Sequence, residues 1–185
     1  SWYQKSVAAG YPQANYGLGL MEEVGQGTSV NRPQACSYYA LAANAPDAPT
    51  NAITARGICY SSGFGVAVDK VEAARLYRMA SDKGNALAAL NLGTLYEAGT
   101  GVPKDLTEAA RLYRLAGDRG NAQAMSYSGD MYLQGWGVPT DFVEAEKWYR
   151  KAEAKNYAEA IRMLGFMFEQ GRGRPANRDQ AISYY

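Results

Sequence analysis

The chain has 185 residues, 47% of them hydrophobic, and nineteen Lys and Arg against eighteen Asp and Glu leave a formal charge of +1. No bulk charge recommends nucleic acid or an anionic membrane as a partner, and no apolar run approaches the roughly 18 residues of a membrane-crossing helix. Histidine is absent, which excludes Ser-His-Asp and Cys-His machinery and histidine-based zinc sites, and two cysteines cannot make a four-cysteine zinc site.

Residues 1–9, SWYQKSVAA, align with WYRKAEA at 148–154, Trp2 over Trp148 and Tyr3 over Tyr149, and read as the end of a helix. A helix over 12–24 follows, with Pro12 suited to its first turn. Gly25-Gln26-Gly27 leads to a second helix at 32–43, and NAPDAPT at 44–50 separates it from a third. Further helices are predicted at 51–62, 69–82, 85–98, 105–117, 121–134, 141–154 and 157–170, and a last one starts near 178.

These segments repeat one another. Gly57, Gly93, Gly129 and Gly165 are 36 residues apart, and Gly19 stands 38 before Gly57. A fixed period of that size marks a solenoid. The units read as 11–48, 49–84, 85–120, 121–156 and a truncated 157–185, preceded by 1–10 as the end of an earlier second helix. In the first (A) helix of each unit, Ala14, Ala52, Ala88, Ala124 and Ala160 share a column five residues before the glycine. A helical glycine costs about 1 kcal/mol relative to alanine, so five of them imply a neighbouring helix too close for a Cβ. The A-to-B turn reads Gly-x-Gly each time. Asp69/Glu72, Asp105/Glu108 and Asp141/Glu144, with Asn31/Gln34 and Asn177/Gln180, predict a capping box at every B helix. B helices share Ala35, Ala73, Ala109, Ala145 and Ala181, then Tyr39, Tyr77, Tyr113, Tyr149 and Tyr185, one face of small-large-small residues. The fold class is all-α, a right-handed α/α superhelical solenoid of 36–38-residue helix–turn–helix repeats.

The running pattern resembles the Sel-1-like repeat family, relatives of tetratricopeptide repeats, most clearly in LGTLYEAGTGVPKDLTEAARLYRLAGDRGNA from Leu92 and YSGDMYLQGWGVPTDFVEAEKWYRKA from Tyr127. The resemblance implies a superhelix used for contacts between proteins, commonly in bacterial exported or envelope proteins and in adaptor complexes. The first copy departs by carrying Glu22 where the others have Tyr60, Tyr96, Tyr132 and Phe168.

Gly-x-Gly before a helix is not a phosphate loop here, because it lacks the preceding strand and the third glycine or Gly-Lys-Ser/Thr. Cys36 and Cys59 lie on adjacent helices, where either a disulfide or two buried thiols is open. A bond would favour an oxidising compartment, periplasmic or exported. Arg75/Arg78, Arg111/Arg114 and Lys147/Arg150 make a basic stripe whose glutamates three residues earlier read as its own partners. Arg56 and Ser128 break a column otherwise filled by Leu18, Leu92 and Leu164, and read as locally accommodated polar groups.

If the Ala, Leu and Tyr columns face inward, the other side of the A helices lines a concave surface. Its candidate partner-binding residues are Tyr16 and Leu20; Thr54 and Ile58; Leu87, Leu90, Asn91 and Thr94; Gln123, Tyr127 and Asp130; and Arg162, Met163 and Phe166, with Gln13, Gly17, Asn51, Ser126 and Glu159 in the same columns. Mixed aromatic and aliphatic residues there suit a peptide or protein. No motif calls for a cofactor, a metal or a catalytic set. The leading expectation is a non-catalytic scaffold or adaptor. The alternatives are an immunity protein neutralising a bacterial toxin such as a secreted lipase, and a binder of cell-wall glycan. Trp2, Tyr3, Ala181, Tyr184 and Tyr185 are core-column residues at the two ends, which predicts a fragment whose ends are covered by further repeats, a partner or a second copy.

Overall fold

The computed structural model describes residues 11–27 and 29–185; the helix end read at residues 1–9 lies outside them. Among the described residues there are ten α-helices and no strand. The A helices are α1 (Pro12–Val24), α3 (Thr50–Ser62), α5 (Ala86–Ala98), α7 (Ala122–Gln134) and α9 (Ala158–Gln170). The B helices are α2 (Arg32–Ala43), α4 (Lys70–Asp82), α6 (Leu106–Asp118), α8 (Phe142–Glu153) and α10 (Arg178–Ile182). The chain divides into two compact units: residues 11–88 with Gly99–Pro103, and Ala89–Ala98 with Lys104–Tyr185.

Every B helix begins on a side-chain cap. Asn31, Asp69, Asp105, Asp141 and Asn177 accept from the backbone N–H three residues on, at 2.9–3.1 Å. The predicted boxes close on that arm, and the other arm takes different partners. The N–H of each capping residue donates across the turn to the carbonyl of Glu22, Tyr60, Tyr96, Tyr132 or Phe168 on the A helix (2.8–3.0 Å). The glutamates of Asp69 and Asp105 turn outward, Glu72 to Arg75 and Glu108 to Arg111, each in a two-bond fork of 2.7–2.8 Å. The A-to-B turn is therefore tied backbone to backbone, which explains why Glu22 serves as well as the aromatics of the later copies. Both turn glycines have positive φ. At Gly65 (φ 71°) a Cβ would also stand 2.8 Å from the Pro33 backbone, so alanine is barred twice over.

Helix pairs pack small-large-small. Ala35, Ala73, Ala109 and Ala145 are at most 1% exposed, and Tyr39, Tyr77, Tyr113 and Tyr149 at most 3%. The glycine column meets these rings rather than a second backbone. A Cβ on Gly57, Gly93 or Gly129 would lie 2.5–2.7 Å from Cε1 of Tyr77, Tyr113 or Tyr149 in the same repeat, and Gly19 faces Tyr39 in the same way. Burying a tyrosine removes about 150–250 Å² from water, an upper estimate of roughly 4–6 kcal/mol per ring. That gain outweighs the ~1 kcal/mol a helical glycine costs. Tyr185 keeps its place loosely: it lies past the end of α10 at Ile182 and is 69% exposed, with its Cε1 still 3.0 Å from where a Cβ on Gly165 would stand, while Tyr184 stacks on Phe168 at 5.5 Å.

Candidate functional site

A tyrosine in a glycine slot keeps a hydroxyl to satisfy, and in the first, third, fourth and fifth copies the A helix supplies a carboxylate acceptor. Tyr39 donates to Glu23 (2.5 Å), Tyr113 to Glu97 (2.5 Å) and Tyr185 to Glu169 (3.3 Å), each carboxylate four residues after the glycine. In the fourth copy that column holds Leu133, and Tyr149 donates instead to Asp130 (2.6 Å), one residue after Gly129. Burial first, and the carboxylate second, push Tyr39, Tyr113 and Tyr149 far above the usual phenol range, so they stay neutral donors. Burial also raises the Asp130 carboxyl, against the smaller opposing pull of the Tyr149 hydroxyl.

The B-helix cations are largely spoken for. Arg75, Arg111 and Lys147 pair with Glu72, Glu108 and Glu144 at 2.7–3.1 Å. Arg150 reaches Glu153 (3.0 Å) and Glu146 (3.4 Å), and Lys151 lies 3.7 Å from the Trp148 ring centre. Arg56 bonds the Asn44 side chain and stacks at 5.8 Å over Tyr60, while Ser128 returns its hydroxyl to the Ala124 carbonyl (2.9 Å).

Among the described residues, the A-helix flank carries a hollow in each unit. In the first unit, Tyr16, Leu20, Ile58 and Leu87 gather with Asn51, Ala55 and Glu23 around about 220 Å³ between α1 and α3. Tyr39 and Thr54 also line it. In the second unit, Thr94, Tyr127 and Asp130 surround about 220 Å³ between α5 and α7, joined by Glu97, Tyr113, Met131 and Trp136. Tyr127 sits edge-on to Tyr113 at 5.1 Å and accepts from Gln123 Nε2 at 2.9 Å. Asn91 is half-buried, and its carbonyl takes the Thr94 hydroxyl (2.7 Å). Arg162, Met163 and Phe166 stand on α9 outside both hollows. Arg162 forks onto Glu159 (2.5 and 3.0 Å), and Met163 and Phe166 pack on the core around Trp148 and Leu164.

Two expected surface residues are not surface. Thr54 is 2% exposed with its hydroxyl on the Thr50 carbonyl (2.8 Å), and Leu90 is 3% exposed in a core with Ala109, Tyr113 and Ala124. Ser126, in the same column, is likewise buried. That column sits two residues after the core alanine, at the edge of the inward face, and in the second, third and fourth repeats the packed neighbours claim it. The residues missed were Glu23, Glu97 and Trp136. The first two were legible as a carboxylate four residues after the glycine and sixteen before the tyrosine. Trp136 occupies the variable place of Gly-x-Gly and is 45% exposed.

Cys36 on α2 and Cys59 on α3 are joined by a disulfide within the first unit, Cα–Cα 5.9 Å. Among the described residues no group of His, Cys, Asp and Glu is arranged to hold a metal ion, and no helix is long and apolar enough to cross a membrane.

The family described as Sel1 repeat matches residues 12–47, 50–85, 86–121, 122–157 and 158–185. No curated protein matches the chain. Among solved structures, c5321, described as a protective antigen present in uropathogenic Escherichia coli strains and displaying an SLR fold, is 29% identical with a TM-score of 0.88. The match covers 100% of this chain, which spans 39% of that antigen's length. A Sel1 repeat protein from Oxalobacter formigenes is 28% identical with a TM-score of 0.89, covering 99% of this chain and 72% of its own. A sel1 repeat protein from Klebsiella pneumoniae, 20% identical over 86% of this chain and 78% of its own, shares the fold with a TM-score of 0.54. Sel1 repeat proteins generally mediate contacts between proteins and are typically non-catalytic. Five family matches in phase with the helix pairs, on a fold shared with solved Sel1 solenoids, make this chain a member of the Sel1 repeat family.

Proposed function

We propose that the chain is a non-catalytic adaptor that holds a partner protein or peptide against the open flank of its A helices. One contrast carries the reading. The hollow of about 190 Å³ along the B helix α6 is rimmed by Arg111, Arg114 and Asp118, whereas the A-helix flank of each unit keeps a hollow of about 220 Å³ rimmed by exposed or half-exposed Leu20, Ile58, Leu87, Tyr127 and Trp136. Unfilled concavities with aromatic rims are where partner side chains are buried most favourably. The disulfide fits an oxidising compartment as the place of work.

The test is site-specific photo-crosslinking in cells that carry the natural gene. A photoreactive residue at Ile58 or Thr94 is expected to trap a discrete partner, and one at Arg75 or Arg111 is not. Partner adducts arising from Arg75 and Arg111 alone would overturn the assignment.

A further inference from the structure

The hollow of the second unit has a counterpart in the first, built from the same columns two repeats earlier. Glu23 corresponds to Glu97, Tyr39 to Tyr113, Cys59 to Met131 and Phe64 to Trp136. In the first unit the chain itself fills the part of that place beside Phe64, while the neighbouring hollow of about 220 Å³ between α1 and α3 stays open. The Arg32 guanidinium, at the first position of α2, lies 4.8 Å over the Phe64 ring and lines the same hollow as Glu23, where about 40 Å³ is left. The same two columns meet again between α8 and the turn after α9 with their roles exchanged: Phe142 on the helix, Arg172 in the turn, 5.4 Å apart. An arginine on an aromatic ring is thus a recurrent device at this joint of the repeat.

In the second unit the device is incomplete. Leu106 stands where Arg32 stood, and no cation lies over Trp136 among the described residues. The negative charge has meanwhile increased, because Asp130 replaces Ile58 beside Glu97. Neither α5 nor α7 contains a lysine or arginine. The other groups that act on Asp130 are the Tyr149 hydroxyl from α8, and Glu159 and Arg162 from α9, with Arg162 already forked onto Glu159. The result is about 220 Å³ bounded by an exposed indole, two phenol rings and two carboxylates with no cation of its own.

We propose that this hollow takes the guanidinium of an arginine side chain presented by the partner protein, stacked on Trp136 and Tyr127 and bonded to Glu97 and Asp130. The charge and the rings favour a cation, and the planar fork of arginine satisfies a ring face and carboxylates at once, which an ammonium does not. The inference rests on the A-helix flank being the binding face, and it names the side chain that face reads in its second unit.

Acetyl-arginine-amide is the probe, titrated into the intact protein while the indole N–H signals of Trp2, Trp136 and Trp148 are followed by NMR. The expected result is saturable movement of the Trp136 signal in the millimolar range, with acetyl-lysine-amide weaker and the neutral acetyl-citrulline-amide without effect. Trp136→Ala should weaken binding as read on Tyr127, and Glu97→Gln with Asp130→Asn should weaken it about tenfold or more. Leu106→Arg restores the chain's own arginine and should block the probe while leaving the rest of the spectrum intact. Citrulline acting as well as arginine, lysine acting better, or a Leu106→Arg protein that still binds would each overturn the proposal. A partner that crosslinks at Ile58 and Thr94 yet is indifferent to Leu106→Arg and Trp136→Ala would sink the arginine site and leave the adaptor reading standing. Probe binding with partner adducts only from Arg75 and Arg111 would sink the adaptor reading and with it the partner's arginine, leaving a site for free guanidinium alone.

Discussion

An alanine at Gly93 would gain about 1 kcal/mol of helix propensity and lose more than that to Tyr113, whose Cε1 stands 2.7 Å from where the Cβ would go. The ring is fully buried and held by its bond to Glu97, so it cannot step aside. Gly93→Ala should therefore destabilise the protein by about 1–3 kcal/mol, the range for overpacking, measured by urea denaturation. Placed on Tyr113→Ala, the same change should be neutral or stabilising, and equal losses in both backgrounds would refute the pairing. Asp130 makes the residue-scale case for pH. Burial raises its carboxyl, so the folded state holds that proton more tightly than the unfolded chain. Its contribution is then fully present below the ordinary Asp range near pH 4 and is lost as pH rises through the raised value. Asp130→Asn should flatten that fall, and a carboxyl-carbon titration by NMR should put Asp130 above the ordinary Asp range. The glycine column was legible as a close approach to the small-large-small face of the B helix, but not which part of that face makes it. Periodicity within one helix says which face is crowded and is silent on whether backbone or ring does the crowding.

At the scale of the element, the turn and the cap divide the work. Asp105 holds the Glu108 amide at 3.0 Å, and its own amide donates to the Tyr96 carbonyl. Asp105→Ala leaves the hydrogen bond from the backbone N–H of residue 105 to the Tyr96 carbonyl in place and removes the cap, a loss of about 1 kcal/mol. Glu108→Ala should cost only about 0.2–0.5 kcal/mol, since its carboxylate serves a solvated pair with Arg111 instead of the second arm of a box. Equal losses in thermal melts would restore the full box. The helix starts were legible because cap, turn glycines and small-large-small face recur in phase. The outward arm of the glutamate was not, because an arginine three residues on competes for it at the same spacing that a box would use. Thr54 and Leu90 failed for a related reason: their column borders two faces, and packing against a neighbouring helix, rather than the pattern, decides the side.

At the scale of the molecule, a repeat protein is stabilised by each helix pair and its neighbours, so a constraint acts locally. The Cys36–Cys59 bond closes a loop with a sequence separation of 23 inside the first unit. Chain-entropy reasoning puts its contribution on the order of 3 kcal/mol. Nothing equivalent ties α7 or α9, since the chain has only two cysteines. Reduction, or Cys36→Ser with Cys59→Ser, should accelerate amide hydrogen exchange in α2 and α3 by a factor that fades along the chain, with the protection of α7 and α9 unchanged. Mass-spectrometric exchange on the oxidised and reduced protein reads this directly. A uniform rise across all helices would mean that the repeats unfold as one block, and the nearest-neighbour account would then fail for this chain. A rise confined to α2 and α3 would show that the disulfide stiffens the helices around the small pocket beside Phe64, where Arg32 already fills the arginine place. It would leave the open hollow beside Trp136 in helices held without a covalent tie.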